Sequence, residues 1–508
     1  MRAPRAVAEF VSDIRTATSD VFEFDNTYAN ELAGFSAPWQ AVGVPAPRLV
    51  RLNHALALSL GIDPQPLDGP LGAAIFSGNT TPNGAQPIAQ AYAGHQFGGF
   101  AAQLGDGRAL LLGEVVDPNG VRHDIALKGS GRTPFSRGGD GRASLGPVLR
   151  EYLMGEAMYA LGVPTTRALA AVTTGEPVLR DRALPGAVLT RVASSHLRVG
   201  TFQFFASRDQ VEMVRTLVDY ALARHDPELV DDPNPALALL DAVILRQATL
   251  IAAWMNVGFI HGVMNTDNVT VSGETIDFGP CAFIEGFDSR AVFSSIDEGG
   301  RYAYGNQPSI GKWNMARLAD ALVPLIHDDA DQAIAKATHA VDAYDTIFED
   351  HWLAGARRKL GLATDLDDDL SLAKDWLAQL AAQHVDFTLA WRRLADFAGG
   401  DPEPLRELFA DRTGLDTWLV RWRERITREE GDPAERAAEM RQINPIYIAR
   451  NHLVEEALAA AVDHDNLEPF DRLLAVVSRP FDERVADERY ARPAPPEYTA
   501  GYRTFCGT

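Results

Sequence analysis

The feature that most constrains the fold of this chain is a glycine- and arginine-rich segment, residues 94–146, around one predicted β-hairpin. Residues 109–116 and 121–128 have strand-like composition, and Asp117-Pro118-Asn119-Gly120 between them is typical of a tight turn. Three glycine clusters with arginines flank the hairpin: Gly105-Asp106-Gly107-Arg108, Gly129-Ser130-Gly131-Arg132 and Gly138-Gly139-Asp140-Gly141-Arg142. Glycines let backbone N–H groups approach a phosphate, and arginines bind it through two hydrogen bonds. One such cluster usually marks only a turn, whereas three around one hairpin indicate a phosphate-binding site.

The rest of the chain changes from strand-rich to helical character. Pro147–Leu161 is predicted as a helix, because proline suits the first turn and Gly162 can end the last. Ala236–Val257 is a long helix with apolar periodicity, and the pattern is almost wholly helical beyond residue 312. The first 90 residues mix proline-rich stretches with a short helical pattern around Leu49–Leu60. We therefore expect an N-terminal extension, a small β-containing part and a large helical part.

The amino-acid composition limits the kinds of binding partner that we expect for this chain. The chain has 508 residues, 46% hydrophobic and 23% charged, which is enough for a large core. Asp and Glu outnumber Lys and Arg by 69 to 47, and no basic run is long enough to bind a phosphate backbone, so nucleic acid and anionic membranes are not expected partners. Only Cys281 and Cys506 occur, too few for a disulfide framework and not spaced for zinc. With no signal-peptide or membrane-spanning pattern, we expect a cytoplasmic protein.

A loop at residues 261–279 contains candidate metal ligands. Asn268 and Asp277 supply the oxygen ligands that Mg²⁺ prefers and usually shares with substrate phosphates. Val269–Val271 and Thr275–Asp277 have strand-like composition and are separated by Ser272-Gly273-Glu274. We therefore predict a second hairpin that brings Asp277 beside Asn268, with the arrangement that a kinase uses around Mg²⁺ and ATP.

The same loop has the length of a kinase catalytic loop but not its composition. His261 and Asn268 stand at its two ends, while Val263 occupies the position of the kinase catalytic aspartate. Asp267 is the nearby carboxylate that can orient or deprotonate an incoming hydroxyl, although a loop cap would explain it too. We expect His261 to be a structural hydrogen-bonding residue.

Lys128 ends the second predicted strand, where a kinase places the lysine that contacts phosphates and pairs with a helical glutamate. The next helix offers Glu151 and Glu156 on opposite sides of its apolar arc, and periodicity does not choose between them. Arg191 and Arg198 flank a segment that leads from the strand-rich to the helical part, and surface ion pairs would explain them as well as phosphate binding.

These motifs together resemble the selenoprotein O family. The resemblance lies in Gln90–Gly98, Leu104–Arg108, Leu127–Arg137, His261–Asn268 and Asp277-Phe278-Gly279-Pro280, and it extends from about residue 30 to the C-terminus. It implies a bilobal protein-kinase-like α+β fold, with an extension at 1–90, a nucleotide-binding N-lobe at 91–200 and a helical C-lobe with the catalytic loop at 201–508. It also implies that ATP lies inverted relative to ordinary kinases, so that AMP passes to Ser, Thr or Tyr of proteins and pyrophosphate leaves.

The resemblance assigns roles residue by residue. It implies that Asp267 is the base, that Asn268 and Asp277 hold Mg²⁺ (or Mn²⁺), and that Lys128 contacts phosphate with Glu151 as its partner. The remaining residues of the implied nucleotide pocket are Gly105, Gly107, Arg108, Asp140, Gly141, Arg191 and Arg198. Family members often carry selenocysteine or cysteine near the C-terminus, and here Cys506 stands third from the end. This suggests the hypothesis of a redox link from Cys506 to Cys281, although a buried thiol at Cys281 is the simpler interpretation.

Two other functions are compatible with the motifs. An ordinary kinase would transfer the γ-phosphoryl group, but it would need an aspartate where Val263 stands. A nucleotide-binding pseudoenzyme scaffold would tolerate the loss of Lys128 or of the metal ligands, all of which are present. The acceptor proteins, the preference among Ser, Thr and Tyr, and the oligomeric state do not follow from the sequence.

Overall fold

The computed structural model describes residues 21–505, which form an α+β fold with one large antiparallel sheet and many helices. The strands are β1 Ser36–Pro38, β2 Arg48–Leu52, β3 Ile88–Gln90, β4 Gly94–Gln96, β5 Gly99–Ala101, β6 Ala109–Val116, β7 Arg122–Lys128, β8 Ala143–Ser144, β9 Arg167–Leu179, β10 Ala183–Ala193, β11 Phe259–Ile260 and β12 Ala282–Phe283. The α-helices up to residue 257 are α1 Thr27–Glu31, α2 His54–Ser59, α3 Pro70–Phe76, α4 Leu145–Ala160, α5 Val199–Ala206, α6 Val211–His225 and α7 Pro235–Val257. Those that follow are α8 Gln307–Ile326, α9 Ala330–Leu360, α10 Asp369–Gln383, α11 Phe387–Ala398, α12 Glu403–Arg406, α13 Thr413–Ile426, α14 Pro433–Ile443, α15 Asn451–His464, α16 Glu468–Val477, α17 Glu488–Ala491 and α18 Pro496–Gly501.

The large sheet has the strand order β1-β3-β6-β7-β10-β9-β2, with β8 paired to β10. Every pair in it is antiparallel. Strands β1, β2 and β3 come from the first 90 residues, so the sheet takes strands from both sides of the boundary predicted at residue 90, and that boundary stays a prediction. Strand β7 lies at the centre of the sheet and ends at Lys128, opposite Leu189 of β10.

The predicted hairpin at residues 109–128 is confirmed as β6 and β7. Its turn is closed by Asp117, whose Oδ1 accepts hydrogen bonds from the N–H groups of Asn119 (2.8 Å) and Val121 (2.9 Å). Gly120 has a φ of +83°, a left-handed conformation that glycine adopts without steric cost. Local turn chemistry was therefore sufficient to specify this element.

Two predicted helices differ from the structure, one slightly and one over half of its length. Helix α4 begins at Leu145, two residues before the predicted start, and ends at Ala160; Pro147 fits there because the N–H groups of a first turn lack helical partners. The helical pattern around Leu49–Leu60 is wrong for its first part, because Arg48–Leu52 is a strand that pairs with β9. Only His54–Ser59 is helical, capped by Asn53, whose Oδ1 accepts the N–H of Leu56. Pairing with a distant strand overrode the local pattern in this segment.

The second predicted hairpin, Val269–Val271 with Thr275–Asp277, is wrong. Thr270 pairs with Arg198 and Thr275 with Thr165, so the two segments do not pair with each other. The turn between them is closed by the Thr270 hydroxyl, which donates to the Glu274 carbonyl (2.8 Å) and accepts the Glu274 N–H (3.0 Å). Backbone groups need one partner each, and here distant segments of the chain supply those partners.

Buried apolar residues form a core that continues through the helical part. Helix α7 lies between two clusters: Leu239, Leu240 and Val243 pack in one, and Leu250, Ile251 and Trp254 pack in the other. Within residues 21–505 this helix is the one that is long and apolar enough to cross a membrane, and its burial against α8 and α9 explains that composition. A third cluster lies between the sheet and α2 and α3, with Leu56, Phe76 and Leu169 among its members.

Candidate active site

A cavity of about 470 Å³ brings together every residue that the sequence singled out for the site. Its lining includes Gly105, Gly107, Arg108, Lys128, Asp140, Gly141, Glu151, Arg191, Arg198, Asp267, Asn268 and Asp277. These residues come from strands β7 and β10, helix α4, the glycine-rich loops and the loop after β11. The juxtaposition is a fact of the fold, whereas the role of each residue stays a prediction.

Lys128 lies between two carboxylates. Its Nζ donates to Glu151 Oε2 (2.6 Å) and to Asp277 Oδ1. Glu156, the alternative that periodicity left open, is instead held by Arg167, with both N–O distances at 2.6 Å. The structure therefore pairs Lys128 with Glu151.

Arg191 is buried and joins the same two carboxylates. Its Nη1 donates to Asp277 Oδ1 (2.8 Å) and Glu151 Oε1 (3.2 Å), so a surface ion pair does not describe it. Burial alone would raise the pKa of Asp277, but Lys128, Arg191 and Arg198 together hold it well below the ordinary value. The Asp277 carboxylate is therefore ionised at neutral pH.

The orientation of Arg191 is fixed by a buried histidine. Arg191 Nε donates to His196 Nε2 (3.1 Å), and His196 Nδ1 donates to Asp124 Oδ2 (2.9 Å). Because an arginine has no acceptor, His196 is the neutral tautomer with its proton on Nδ1, and burial lowers its pKa accordingly. Arg224 donates to the other oxygen of Asp124 (2.6 Å), so this carboxylate is also satisfied.

Arg198 presents donor groups that the described residues do not use. Its guanidinium lies 4.3 Å from the centre of the Tyr92 ring, and Nη1 is 3.5 Å from Asp106 Oδ1. Nε and Nη1 are buried and make no hydrogen bond within residues 21–505. Buried donors without acceptors are costly, so this site suits an anionic ligand that supplies the missing oxygens.

Asp267 and Asn268 lie on a short 3₁₀ turn, Thr266–Asn268, after β11. Asp267 Oδ2 accepts from Gln96 Nε2 (3.3 Å), while Oδ1 is buried and makes no hydrogen bond to any described residue. Burial raises the pKa of Asp267 to about 6, against the opposing effect of hydrogen bonds and of Arg198. His261, as predicted, is structural: its ring donates through Nε2 to the Ile276 carbonyl (2.8 Å) and stacks on Trp254.

Asn268 and Asp277 also fit a divalent cation. Asn268 Nδ2 donates to the Val263 carbonyl (3.1 Å), which leaves its Oδ1 without a hydrogen bond in the described part of the chain. Asp277 Oδ2 is likewise without one, and both residues line the cavity. No group of three or more His, Cys, Asp and Glu suited to a metal is found within residues 21–505, so an ion here would complete its shell with phosphate and water oxygens.

The glycine clusters form another part of the cavity lining. A Cβ on Gly105 would overlap the Phe135 ring, one on Gly107 would lie 2.9 Å from the Phe135 carbonyl, and one on Gly141 would overlap Gly131. These loops therefore pack too closely for any larger residue. The Asp140 carboxylate accepts hydrogen bonds from Nη1 (2.7 Å) and Nη2 (3.2 Å) of Arg180. These hydrogen bonds lower the pKa of Asp140.

Some cavity residues were missed from the sequence. Arg180 comes from a turn, Arg180-Asp181-Arg182, whose composition looks like ordinary surface, so no local signal marks it. Tyr92 and Gln96 stood within a quoted motif but were given no role. His196, which contacts Arg191 but does not itself line the cavity, stood in a segment that was noted only for its flanking arginines.

The geometry of the cavity indicates the kind of ligand that it binds. A half-buried lysine, buried arginines, tight glycine loops and a pair of side chains with free oxygens in one cavity suit the triphosphate of a nucleotide with its divalent ion. The class indicated is an enzyme that acts on a nucleotide.

Comparison with known proteins identifies the family of nucleotide-dependent enzymes that this chain resembles. The sequence profile of the family described as protein adenylyltransferase SelO matches residues 20–478. The protein nucleotidyltransferase YdiU of Cereibacter sphaeroides is 60% identical over 488 residues, which cover 96% of this chain and 100% of that protein. Proteins of the same name from a Bradyrhizobium species and from Rhizobium meliloti are 59% and 57% identical, over 96% of this chain and 99% of each.

The chain therefore belongs to the SelO family of protein adenylyltransferases, and it is an enzyme of the nucleotidyltransferase type. This confirms the family resemblance that the motifs indicated.

Proposed function

We propose that this enzyme transfers AMP from ATP to the hydroxyl groups of Ser, Thr or Tyr in other proteins, and releases pyrophosphate. The observation that carries the proposal is the cationic cluster around Asp277, which consists of the half-buried Lys128 and the buried Arg191 and Arg198. Arg198 retains buried donors that have no acceptor among the described residues, and a triphosphate provides acceptors of the right charge.

The nucleotide would bind between the glycine loops and this cluster. Gly105, Gly107 and Gly141 allow close approach of the backbone, and Arg108 and the Asp140–Arg180 pair lie on the same wall. Lys128, Arg191 and Arg198 would neutralise the phosphates, with Glu151 and Asp277 holding the first two in place. An inverted nucleotide, as the family resemblance implies, would present its α-phosphate to the acceptor.

Asp267 is the proposed base. The acceptor hydroxyl would give its proton to the Asp267 carboxylate while its oxygen forms a bond to the α-phosphorus. The bond from that phosphorus to the β-phosphate oxygen breaks, and pyrophosphate leaves with the electron pair. Asp267 suits this role because it lines the cavity and one of its oxygens has no hydrogen-bond partner within residues 21–505.

Asn268 and Asp277 would hold a divalent ion, with Mg²⁺ the first choice and Mn²⁺ a second. Such an ion, when bound, neutralises charge on the phosphates. An ordinary kinase reaction is a poorer fit, because Val263 stands at the position of the kinase catalytic aspartate and is buried.

The wider assignments are proposals too. We propose a bilobal kinase-like arrangement, with the extension at 1–90, the N-lobe at 91–200 and the C-lobe at 201–508. The acidic composition supports protein substrates rather than nucleic acid or anionic membranes. Because two cysteines are too few for a disulfide framework, we propose a reducing compartment, the cytoplasm.

The test uses ATP labelled separately at the α- and γ-phosphates, with Mg²⁺ and candidate acceptor proteins. We expect label on protein from the α position only, with one pyrophosphate released for each AMP transferred. Label that reaches protein only from the γ position would contradict AMP transfer and support a kinase. Mass spectrometry of the modified peptide identifies the acceptor residue.

A further inference from the structure

A small hairpin, formed by β4 and β5, is hydrogen-bonded to the loop that contains the proposed base, Asp267. The N–H of His95 donates to Thr266 Oγ1 (2.7 Å), and Gln96 Nε2 donates to Asp267 Oδ2 (3.3 Å). The N–H of Phe97 donates to Asn265 Oδ1 (3.0 Å). Three neighbouring hairpin residues thus donate hydrogen bonds to three neighbouring loop residues, 265–267. These bonds hold the hairpin tip in a fixed position beside Asp267.

The tip carries an aromatic residue in an unusual conformation. Phe97 has a φ of +51° and Gly98 a φ of +87°, as the two-residue turn between Gln96 and Gly99 requires. Glycine or asparagine would adopt this conformation readily, whereas a bulky residue is strained there. Tyr302 supports the strained residue, since its ring packs against Phe97 and its hydroxyl donates to Asn265 Oδ1 (2.6 Å). Strain that the surroundings maintain is a reason to ask what the side chain does.

The Phe97 side chain lies at the cavity, not in the core. It is 38% exposed and lines the same cavity as Asp267. Ile296, from a separate loop, is 50% exposed and lines that cavity too. Among the described large apolar residues that line the cavity, these two are the exposed ones; the others include the buried Val148, Leu189 and Val263. Asp267 Oδ1 itself is buried, so an acceptor hydroxyl must enter the cavity to reach this residue.

We propose that Phe97 and Ile296 form an acceptor rim, which contacts an apolar side chain next to the hydroxyl residue of the acceptor polypeptide. The inference rests on the proposed function, since it takes the Asp267 cavity as the place of transfer. A polypeptide segment is the occupant that fits, because both side chains line the cavity that Asp267 lines and an apolar neighbour of the acceptor hydroxyl would cover their exposed surface. The nucleotide would occupy the part of the cavity that Lys128, Arg191 and Arg198 line.

The test measures peptide preference with the full-length enzyme. The probes are synthetic peptides with one central Ser, Thr or Tyr in a Gly-Ala background, with either a leucine or a glutamine at each flanking position in turn. Label from α-labelled ATP gives kcat/KM for each peptide, and AMP released into water is followed without peptide. We expect the wild type to prefer the best leucine peptide by about tenfold or more over its glutamine counterpart.

Two variants test the rim, and two test its location. Phe97→Asn and Ile296→Ala should reduce the leucine preference to within about twofold, with AMP release into water unchanged to within about twofold. Phe97→Asn should not lower the thermal unfolding midpoint, because asparagine suits the left-handed turn; a residue that is merely structural would lower it. Phe100→Ala, on the same hairpin but away from the cavity, and Ile334→Ala, equally exposed on α9, should retain the preference.

The outcomes separate the rim from the reaction. No leucine preference in the wild type, survival of the preference in both rim variants, or equal loss of it in Phe100→Ala would each overturn the acceptor rim. AMP release into water with no peptide modified would also overturn it. If the wild type neither releases nor transfers AMP, the proposed function itself is wrong.

Discussion

Asp267 and Asp277 face one cavity, but their surroundings make them chemically different. Asp277 contacts Lys128 and Arg191, and its pKa lies well below the ordinary value. Asp267 has a buried oxygen without a partner in the described chain, and burial raises its pKa to about 6. When the surroundings lower the pKa of one carboxylate and raise that of another in the same site, the first typically stays charged and the second typically transfers a proton.

Replacing each aspartate should therefore have a distinct effect. Asp267→Asn should slow AMP transfer by at least about 100-fold and change ATP affinity by no more than about threefold, because it removes only the base. Asp277→Asn should abolish transfer and also weaken ATP binding in the presence of Mg²⁺, since it removes a proposed metal ligand. Transfer rates with α-labelled ATP and calorimetric titration with ATP provide the two readouts. Full activity in either variant would remove that residue from the mechanism.

At the scale of elements, helix α4 carries two glutamates with different partners. Glu151 points to Lys128 in the cavity, and Glu156 binds Arg167 outside it. Glu151→Gln should lower the transfer rate by about tenfold or more, because Lys128 loses a charged partner. Glu156→Gln is the matched control on the same helix; it should cost about 1–3 kcal/mol of unfolding free energy and leave ATP affinity unchanged. Urea unfolding and ATP titration distinguish the two, and a reversed pattern would contradict the pairing.

The glycine loops offer a second matched pair. Gly138 and Gly141 both have positive φ, of +87° and +70°, but only at Gly141 would a Cβ overlap a neighbouring loop, at Gly131. Gly138→Ala should cost about 1 kcal/mol of stability from backbone strain alone, with ATP affinity within about twofold. Gly141→Ala should separate the two loops and weaken ATP binding by about tenfold or more. Equal ATP affinity in the two variants would show that loop packing does not shape the nucleotide site.

At the scale of the whole molecule, the C-terminal tail returns to the segment that follows Asp277. Thr504 Oγ1 donates to the Pro280 carbonyl (2.7 Å), and the Thr504 N–H donates to the Phe293 carbonyl (2.8 Å). Tyr502 donates to Glu455 (2.9 Å) beside Arg150, which itself donates to the Gly279 and Cys281 carbonyls (3.0 and 2.6 Å). Helix α4 and the C-terminal tail are thus both hydrogen-bonded to the segment that follows Asp277.

This docking bears on the hypothesis of a Cys281–Cys506 link. Cys281 is buried, and burial raises the pKa of its thiol to about 12, so it is a poor nucleophile in this conformation. Cys506 lies outside the described residues, and the link stays a prediction. Peptide mapping without reduction, after mild oxidation, should give one linked peptide that contains both cysteines and is lost in Cys506→Ser. If the two cysteines never appear in one linked peptide, the redox link does not form in this protein.

The sequence by itself determined the elements whose causes are local. The hairpin at 109–128 follows from its Asp-Pro-Asn-Gly turn, and helix α7 follows from apolar periodicity between Asn234 and Gly258, which cap it. The motifs were also enough to identify the family, because they are long and specific. Many of the residues that line the cavity stand in these motifs, although Arg180 and Ile296 do not.

The tertiary structure alone decided which partners those residues have. It paired Lys128 with Glu151 instead of Glu156, buried Arg191 and Arg198, and placed Phe97 at the cavity. It also gave Thr270 and Thr275 distant partners in place of the local hairpin that their composition predicted. Each of these outcomes depends on contacts between segments far apart in the chain, where packing and backbone hydrogen bonding outweigh local preference. A local pattern reports the conformations that a segment can adopt, and long-range contacts select among them.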